Sequence, residues 1–521
     1  MKKTMWLFMP FLMACSGIQS NQTSSQKLNS GETTLITDQV QLSSRVVKGK
    51  SVRITSLNPL SSTLPSFTHL VDILPPVVNG KKLQASSTIK LDNTLYIAYN
   101  TPGSVEGGLD IVDISNLQSP VLVASLQSSM YQFNQMKSFG RALYLAGTKL
   151  NSGAAVLVVD IDNHSAPVIS NELLVPGDVA TSLDVRDGYM LVSSALNGGI
   201  TTFTLDFNDP LHPAMLRYNP FPNALDVKAM LDPYLADPGF NQDVHAFVMG
   251  GDSDTHLYFM DKELQLNTAV SSAPSRMVIQ GPLVYTNASS EGLKITEIST
   301  FYDGNGFKGF ISSLPMPGTG SGIAELNQKV YAARGDGGVR FIDVHEPGAP
   351  QELGFFDFGD SNNYANDVWA EEYAWNFSVI SIADASGGVR LVLQDTSNIT
   401  IPTNWIQVYA KGTPSGGIVP KMEVYVNGVL VSTFSVLTDT FSMYDVYMPS
   451  PVLSGTDIKI RLSNATTSSV DSRFLSIGYV RIGQDYYYPW KNNTFLDSGV
   501  LAFTDSDNLD LYSNGYVNLI R

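Results

Sequence analysis

Cysteine is all but missing: Cys15 is the only one in 521 residues. No intramolecular disulfide can brace the fold, so stability has to come from core size or a bound metal. Charge is scarce too, at 15% of residues, and what there is sums to −16 with no basic run. That excludes nucleic acid as a partner and electrostatic docking onto anionic lipid. The six histidines (His69, His164, His212, His245, His256, His345) include no His-x-His or His-Glu-x-x-His spacing, so no single segment carries a zinc site. No Gly-x-Ser-x-Gly elbow occurs. The apolar stretch Met5 to Met13 is too short to span a bilayer as a permanent helix.

Glycine is plentiful (42 residues) and aromatics reach 10%, a composition suited to a turn-rich, β-rich secreted protein. One strand pattern recurs seven times. Its clearest copy is Gly337-Gly338-Val339-Arg340-Phe341-Ile342-Asp343-Val344: a Gly-Gly turn, alternating apolar residues, then an Asp leading into a polar turn. The Asp-equivalent positions are Asp113, Asp160, Thr204, Asp261, Glu297, Asp343 and Leu393, a spacing centred in the forties. About ten residues before a copy lies a second strand ending in small residues, as in Leu95-Tyr96-Ile97-Ala98 and Val330-Tyr331-Ala332-Ala333. After several copies comes a Pro-marked third strand, as in Ser119-Pro120-Val121-Leu122. Three or more short strands per repeat cannot bury both faces alone, so the repeats pack around a common axis. The expectation is all-β: a seven-bladed β-propeller followed by a C-terminal β-sandwich. The seventh copy has little after it to serve as its outer strand, and Ser66 to Ile73 has the character to close the ring from the N-terminal side. These repeats resemble those of the LVIVD-repeat proteins, bacterial surface proteins with β-propeller repeats. The resemblance covers roughly residues 66 to 398 and implies a fold rather than an activity.

The N-terminus reads as a processing signal. Lys2 and Lys3 precede the apolar stretch, which ends in Leu12-Met13-Ala14-Cys15. This resembles the bacterial lipobox, which implies lipidation of Cys15 after removal of the leader and a membrane partner through that anchor. With Ser16 rather than Asp next, the resemblance implies sorting to the outer membrane. Residues 16–45, rich in Ser, Gln, Asn and Thr, read as a flexible tether with a reach of roughly 30 Å. The propeller is expected over 46–398, with an outer strand from residues 46–65, and the sandwich over 399–521.

Several short motifs have plain explanations. Gly318-Thr319-Gly320-Ser321-Gly322 precedes no helical segment and reads as an interblade loop, not a phosphate loop. Arg334-Gly335-Asp336 spells an integrin-binding tripeptide, but its Asp stands just before a Gly-Gly turn, where a turn-forming role suffices. The acids of Gly251-Asp252-Ser253-Asp254 and Asp303-Gly304-Asn305-Gly306 lack the distal Glu of a twelve-residue calcium loop and read as exposed turns.

After Asp395 the period stops. Trp405 to Ala410 alternates strictly, and a second alternating strand, Met422 to Val426, ends in Asn427-Gly428, a hairpin signal. Further strands at 458–462 and 474–482 complete a sandwich pattern. Ala410-Lys411-Gly412, Pro420-Lys421-Met422 and Val426-Asn427-Gly428 together resemble the calcium-dependent xylan-binding carbohydrate modules. That resemblance implies a loop-held calcium ion that ligates vicinal sugar hydroxyls. The corresponding loop is Ser463 to Arg473. Where the family would place aspartates this chain has Ala465 and Ser472, and Gly478 replaces a later acid. Asp471 is left as the one charged metal ligand in the loop, with Asn464 as a helper. Tyr487 and Trp490, within Asp485-Tyr486-Tyr487-Tyr488-Pro489-Trp490, either stack on pyranose faces or belong to the core. Asp505-Ser506-Asp507-Asn508-Leu509-Asp510 suits a metal or a polar turn. The expectation is a non-catalytic binding lipoprotein whose sandwich takes a polysaccharide, with calcium as the implied cofactor. The alternatives are a polysaccharide-acting enzyme with its site in the propeller channel, or a protein-binding scaffold.

Overall fold

The structure is a computed structural model. It describes residues 25–27, 33–50, 52–56, 65–186, 188–220, 224–230, 245–250, 255–258, 263–266, 276–280, 283–297, 310–358, 364–374, 377–395, 403–413, 420–436, 442–464, 474–483, 485–487, 494–496, 509–511 and 515–520.

Seven antiparallel sheets, each built on four strands, succeed one another along the chain as the blades of a β-propeller. The repeated motif is the third strand of every blade, for example Ser104–Asp113 in blade 1, Gly153–Asp160 in blade 2 and Val339–Asp343 in blade 6. It is buried on both faces, which is why its apolar pattern is the strongest in the sequence: Leu109, Asp110, Ile111 and Val112 are all inaccessible. In six blades the pairing of this strand with the outer strand slips by one residue at the same place, directly before the Asp position (Ile111/Val112, Val158/Val159, Thr202/Phe203, Ile295/Thr296, Phe341/Ile342, Leu391/Val392). This bulge adds local twist at a fixed point of each blade.

The repeat aspartates close the next turn. Asp113, Asp160 and Asp343 each accept the backbone N–H two residues on, at 2.8, 3.0 and 3.0 Å, as Asx turns do. The second-strand tyrosines bridge forward to the following blade: Tyr96 to His164 Nδ1, Tyr144 to the Pro210 carbonyl and Tyr331 to Gln394 Oε1, each at 2.6 Å.

Blade 7 closes the ring as the sequence suggested. Its outer strand is Ser66–Ile73, paired with Gly388–Asp395. The expected tether over 16–45 is corrected in part. Thr33–Ile36 adds an outer strand to blade 1, with Ser25–Lys27 beyond it. A short helix, Gln39–Ser43, follows, capped by Asp38 and anchored by buried Leu42. Val46–Lys48 then extends blade 7 and Arg53–Ser56 extends blade 6. Leu35 and Leu42 are the apolar anchors that the polar composition of the stretch obscured.

Past residue 403 two further sheets face each other. One is ordered Ser442–Tyr447, Trp405–Thr413, Phe474–Ile482, Asp485–Tyr487, with Leu509–Leu511 also on the third. The other is ordered Val429–Ser435, Lys421–Val426, Asp457–Leu462, Gly515–Ile520, Thr494–Leu496. Ile406, Val408, Ala410, Met422, Val424, Ile458, Ile460, Val480 and Ile482 alternate into one core between them. Asn427 and Gly428 both take positive φ (50° and 78°), as a two-residue hairpin turn requires.

Candidate functional site

The inner strands, missed in the sequence, build the channel. In blades 1, 2, 3, 4 and 7 each carries a one-residue bulge, at Ser86, Asn134, Thr181, Leu225 and Asn366. The bulged side chain reaches the backbone of the next blade. Ser86 Oγ donates to the Phe133 carbonyl at 2.6 Å, Asn134 Nδ2 to Ala180 at 2.9 Å, Thr181 Oγ1 to Ala224 at 2.7 Å and Asn366 Nδ2 to Ala85 at 2.8 Å. Leu225 has nothing to donate. There Arg276 reaches back from blade 5 to the Leu225 and Thr181 carbonyls, both at 2.7 Å. Ser321 Oγ carries blade 6 to the Ala365 carbonyl at 2.8 Å.

The residue after the bulge adds a second layer of the same design, with acceptors in place of donors. Gln135 Oε1 accepts from the Leu183 N–H at 3.0 Å, Asp226 Oδ2 from Met277 at 2.9 Å and Asp367 Oδ2 from Thr88 at 3.2 Å. Asp226 and Asp367 therefore hold neighbouring blades together. Burial pushes the Asp367 carboxyl above its ordinary range, against the pull of the Thr88 amide.

This ring divides the channel. On one side lies a cavity of about 940 Å³, lined mainly by amides and hydroxyls, including Gln84, Asn100, Asn134, Thr181, Thr319 and Asn366, with Asp336 and Tyr364 among its wall residues. On the other lies a cavity of about 300 Å³ with Lys137, Asp184, Arg186, Lys228, Glu325 and Trp369. Gln135 and Asp367 border both.

The sandwich meets the propeller beside the smaller opening. Glu372 accepts from Asn327 Nδ2 at 2.7 Å within the propeller, and from the Tyr479 hydroxyl at 2.9 Å and the Arg481 guanidinium in the sandwich. Gln407 Nε2 donates to Asn327 Oδ1 at 2.6 Å. Gln407, Tyr409, Tyr479 and Arg481 alternate with core residues, so they form the outer face of one sheet, and Tyr409 stacks on Tyr479 with centroids 4.9 Å apart. Burial, then Glu371, Glu372 and Asp92, push the Tyr409 phenol up. Sequence alternation alone would have placed this face in solvent.

Of the residues singled out from sequence, Cys15, Asp471 and Trp490 lie outside the described residues, as do Ala465, Ser472 and the acids at 252–254 and 303. Asn464 is described: its Oδ1 accepts the Lys421 N–H at 2.7 Å. Tyr487 sits in the strand paired with Val480 and packs, partly buried, on the sandwich core. Gly478 is the extra residue of a bulge between Tyr409 and Ala410. His69, His212 and His345 pair with Asp72, Asp209 and Asp343, and His164 with Tyr96. His245 and His256 lie in blade 4 strands. Among the described residues no three His, Cys, Asp or Glu side chains gather as a metal site. In Arg334-Gly335-Asp336 the arginine is wholly buried, so the tripeptide is a structural turn with only its Asp exposed.

The LVIVD repeat matches residues 92–128, which is most of blade 1. No curated protein matches the chain. The module vCBM60 in complex with galactobiose is 22% identical over 22% of this chain and 98% of its own, with a TM-score of 0.18. BamB from Moraxella catarrhalis is 11% identical over 68% of this chain and 99% of its own, with a TM-score of 0.38. Sqt1 from Saccharomyces cerevisiae is 10% identical, covering 64% and 98%, with a TM-score of 0.43. At these identities the likenesses carry nothing about activity.

Proposed function

We propose that the chain is a non-catalytic binding lipoprotein. Its sandwich recognises a xylan-like polysaccharide, the propeller is a rigid platform, and a lipid on Cys15 holds the protein at the outer membrane. The observation that supports the sandwich as the binding part is the bond from the Lys421 N–H to Asn464 Oδ1 at 2.7 Å. It ties the start of the loop expected to face sugar to the Pro420-Lys421-Met422 stretch, one of the three motifs that carry the carbohydrate-module resemblance. The platform role draws on the inner-strand acids Asp226 and Asp367, which accept backbone N–H groups of neighbouring blades.

The test is retention of the full chain on insoluble xylan and on a glycan array, with calcium and with a chelator. Retention abolished by chelation supports a calcium site at Asp471 and Asn464. Retention indifferent to the chelator moves the contact to Tyr487 and Trp490. No retention on any glycan overturns the proposal in favour of a protein-binding scaffold.

A further inference from the structure

The larger chamber of the propeller channel has a chemistry of its own, far from the sandwich contact. Its floor is fixed, because Ser86, Asn134, Thr181 and Asn366 are each held by a carbonyl of the next blade. Arg276, the one cation among the described residues of its wall, is spent on the Leu225 and Thr181 carbonyls. What remains open is a set of neutral hydrogen-bonding groups and one carboxylate. Gln84, Thr319, Ser386 and Asp336 make no side-chain hydrogen bond or ion pair among the described residues, and Asn100 and Asn366 commit only their amide nitrogens.

At the rim an aromatic face stands beside that carboxylate. Tyr364 is 49% exposed, and among the described residues only its backbone N–H is engaged, by Asp384 Oδ1 at 2.8 Å. The turn that carries Asp336 is fixed to the start of the same inner strand: Gly335 and Ala365 exchange backbone bonds of 3.1 and 3.0 Å. A Cβ on Gly335 would come within 3.2 Å of the Tyr364 ring, which would have to give by a few tenths of an ångström, and the φ of +54° at Gly335 favours glycine. The backbone segments that carry Tyr364 and Asp336 are thereby held next to each other.

We propose that this chamber is a binding site for a neutral saccharide. Sugar hydroxyls donate and accept at once, which amides and hydroxyls match in both senses. A carboxylate takes two vicinal hydroxyls, and an aromatic face takes the apolar side of a pyranose ring. The volume of about 940 Å³ falls within the range of small-molecule sites, roughly 300–1,000 Å³. With Asp336 unpaired and Arg276 occupied, an acidic sugar is disfavoured. The site is separate from the sandwich, so it stands or falls independently of the polysaccharide reading.

The experiment uses the full chain and a panel of soluble disaccharides (xylobiose, cellobiose, maltose, lactose and galactobiose), with a glucuronate-containing disaccharide as the acidic comparison. Binding is read by saturation-transfer NMR and titration calorimetry on the parent, Asp336→Ala and Tyr364→Ala. The expected result is binding of at least one neutral disaccharide, weakened tenfold or more by each substitution, with the acidic comparison at least tenfold weaker. Melting temperature and retention on insoluble polysaccharide should not change in either variant. No binding from the panel, or binding equal in parent and both variants, overturns the proposal. In the second case the sugar is on the sandwich.

Discussion

Arg334 offers the sharpest test of how the propeller is held together. Its guanidinium has five N–H groups, and all five are used. Nε donates to the Pro317 carbonyl at 3.2 Å, Nη1 to Asn287 Oδ1 at 2.8 Å and the Ala288 carbonyl at 3.2 Å, and Nη2 to the Met316 and Gly318 carbonyls at 3.1 and 2.6 Å. The side chain is inaccessible and bridges blade 5, and the connection that follows it, to the turn between the second and third strands of blade 6. Arg334→Ala strands these acceptors. At about 1 kcal/mol net for each lost bond the ceiling is about 5 kcal/mol, and water entering the vacated space returns part of it. The expected loss is about 3–4 kcal/mol. Arg334→Lys keeps the charge but not the planar fork, and should lose about 2 kcal/mol. Asp336→Ala, two residues on and exposed, should stay within about 0.5 kcal/mol. Urea unfolding of the full chain followed by circular dichroism reads the difference. With a slope of about 3 kcal/mol per molar, Arg334→Ala should lower the propeller midpoint by about 1 M. Equal midpoints for Arg334→Ala and Asp336→Ala would refute the reasoning and reopen the tripeptide as a surface motif.

Three further outcomes follow from named contacts. Glu372→Ala leaves Arg481, 1% exposed, without its carboxylate and removes the Tyr479 bond. The expected cost is about 3 kcal/mol, the low end for breaking a buried pair, and small-angle scattering should record a more extended particle. Arg45→Ala strips Asp110, which is inaccessible, of its cation and frees the Leu74 carbonyl bonded at 2.8 Å. It should cost about 3–5 kcal/mol and raise hydrogen exchange across blades 7 and 1. The Asp343 carboxyl is held below its ordinary value: burial pushes it up, but Lys329 at 3.0 Å and the His345 amide outweigh that. A depressed carboxylate contributes its stability above the unfolded-state value near 4 and loses it as pH falls through the folded value. Asp343→Asn should therefore be destabilising at pH 7 and progressively less so as pH falls below about 4, as read by urea midpoints across that range.

What the sequence made legible depended on burial. Third strands such as Val156 to Val159 are covered on both faces, so selection for apolar residues writes a strong, repeated pattern there. Inner strands answer to the channel and to the next blade instead. Ser86, Asn134, Thr181 and Asn366 share a position and a job without sharing a side chain, and the bulge shifts the alternation by one residue. The outer-face residues Gln407, Tyr409, Tyr479 and Arg481 read as ordinary solvent-side positions because their partners, Asn327 and Glu372, are remote in sequence. Asn464 was visible as a candidate ligand, but its bond to the Lys421 N–H was not. The candidate site was legible only as residue types; its cavity needed the ring.

The two ends of the chain reinforce one sector of that ring. Blade 7 is the seam, because Ser66–Ile73 pairs with Gly388–Asp395 across most of the propeller sequence. Such a pairing closes the longest loop in the domain and gains nothing until the other blades are placed. The N-terminal segment adds outer strands to blades 1, 7 and 6, the seam and its two neighbours, and covers their otherwise unpaired edges. Arg45 ties the same segment inward, to the Leu74 carbonyl after the closing strand and to Asp110 in blade 1. From the other end the sandwich grips Asn327 of blade 6 and Glu372 of blade 7. Both additions bear on the blades where an opening of the ring would begin. They leave the larger chamber untouched, since its walls from Gln84 to Ser386 belong to the inner strands, the turns between blades and the turns joining second to third strands.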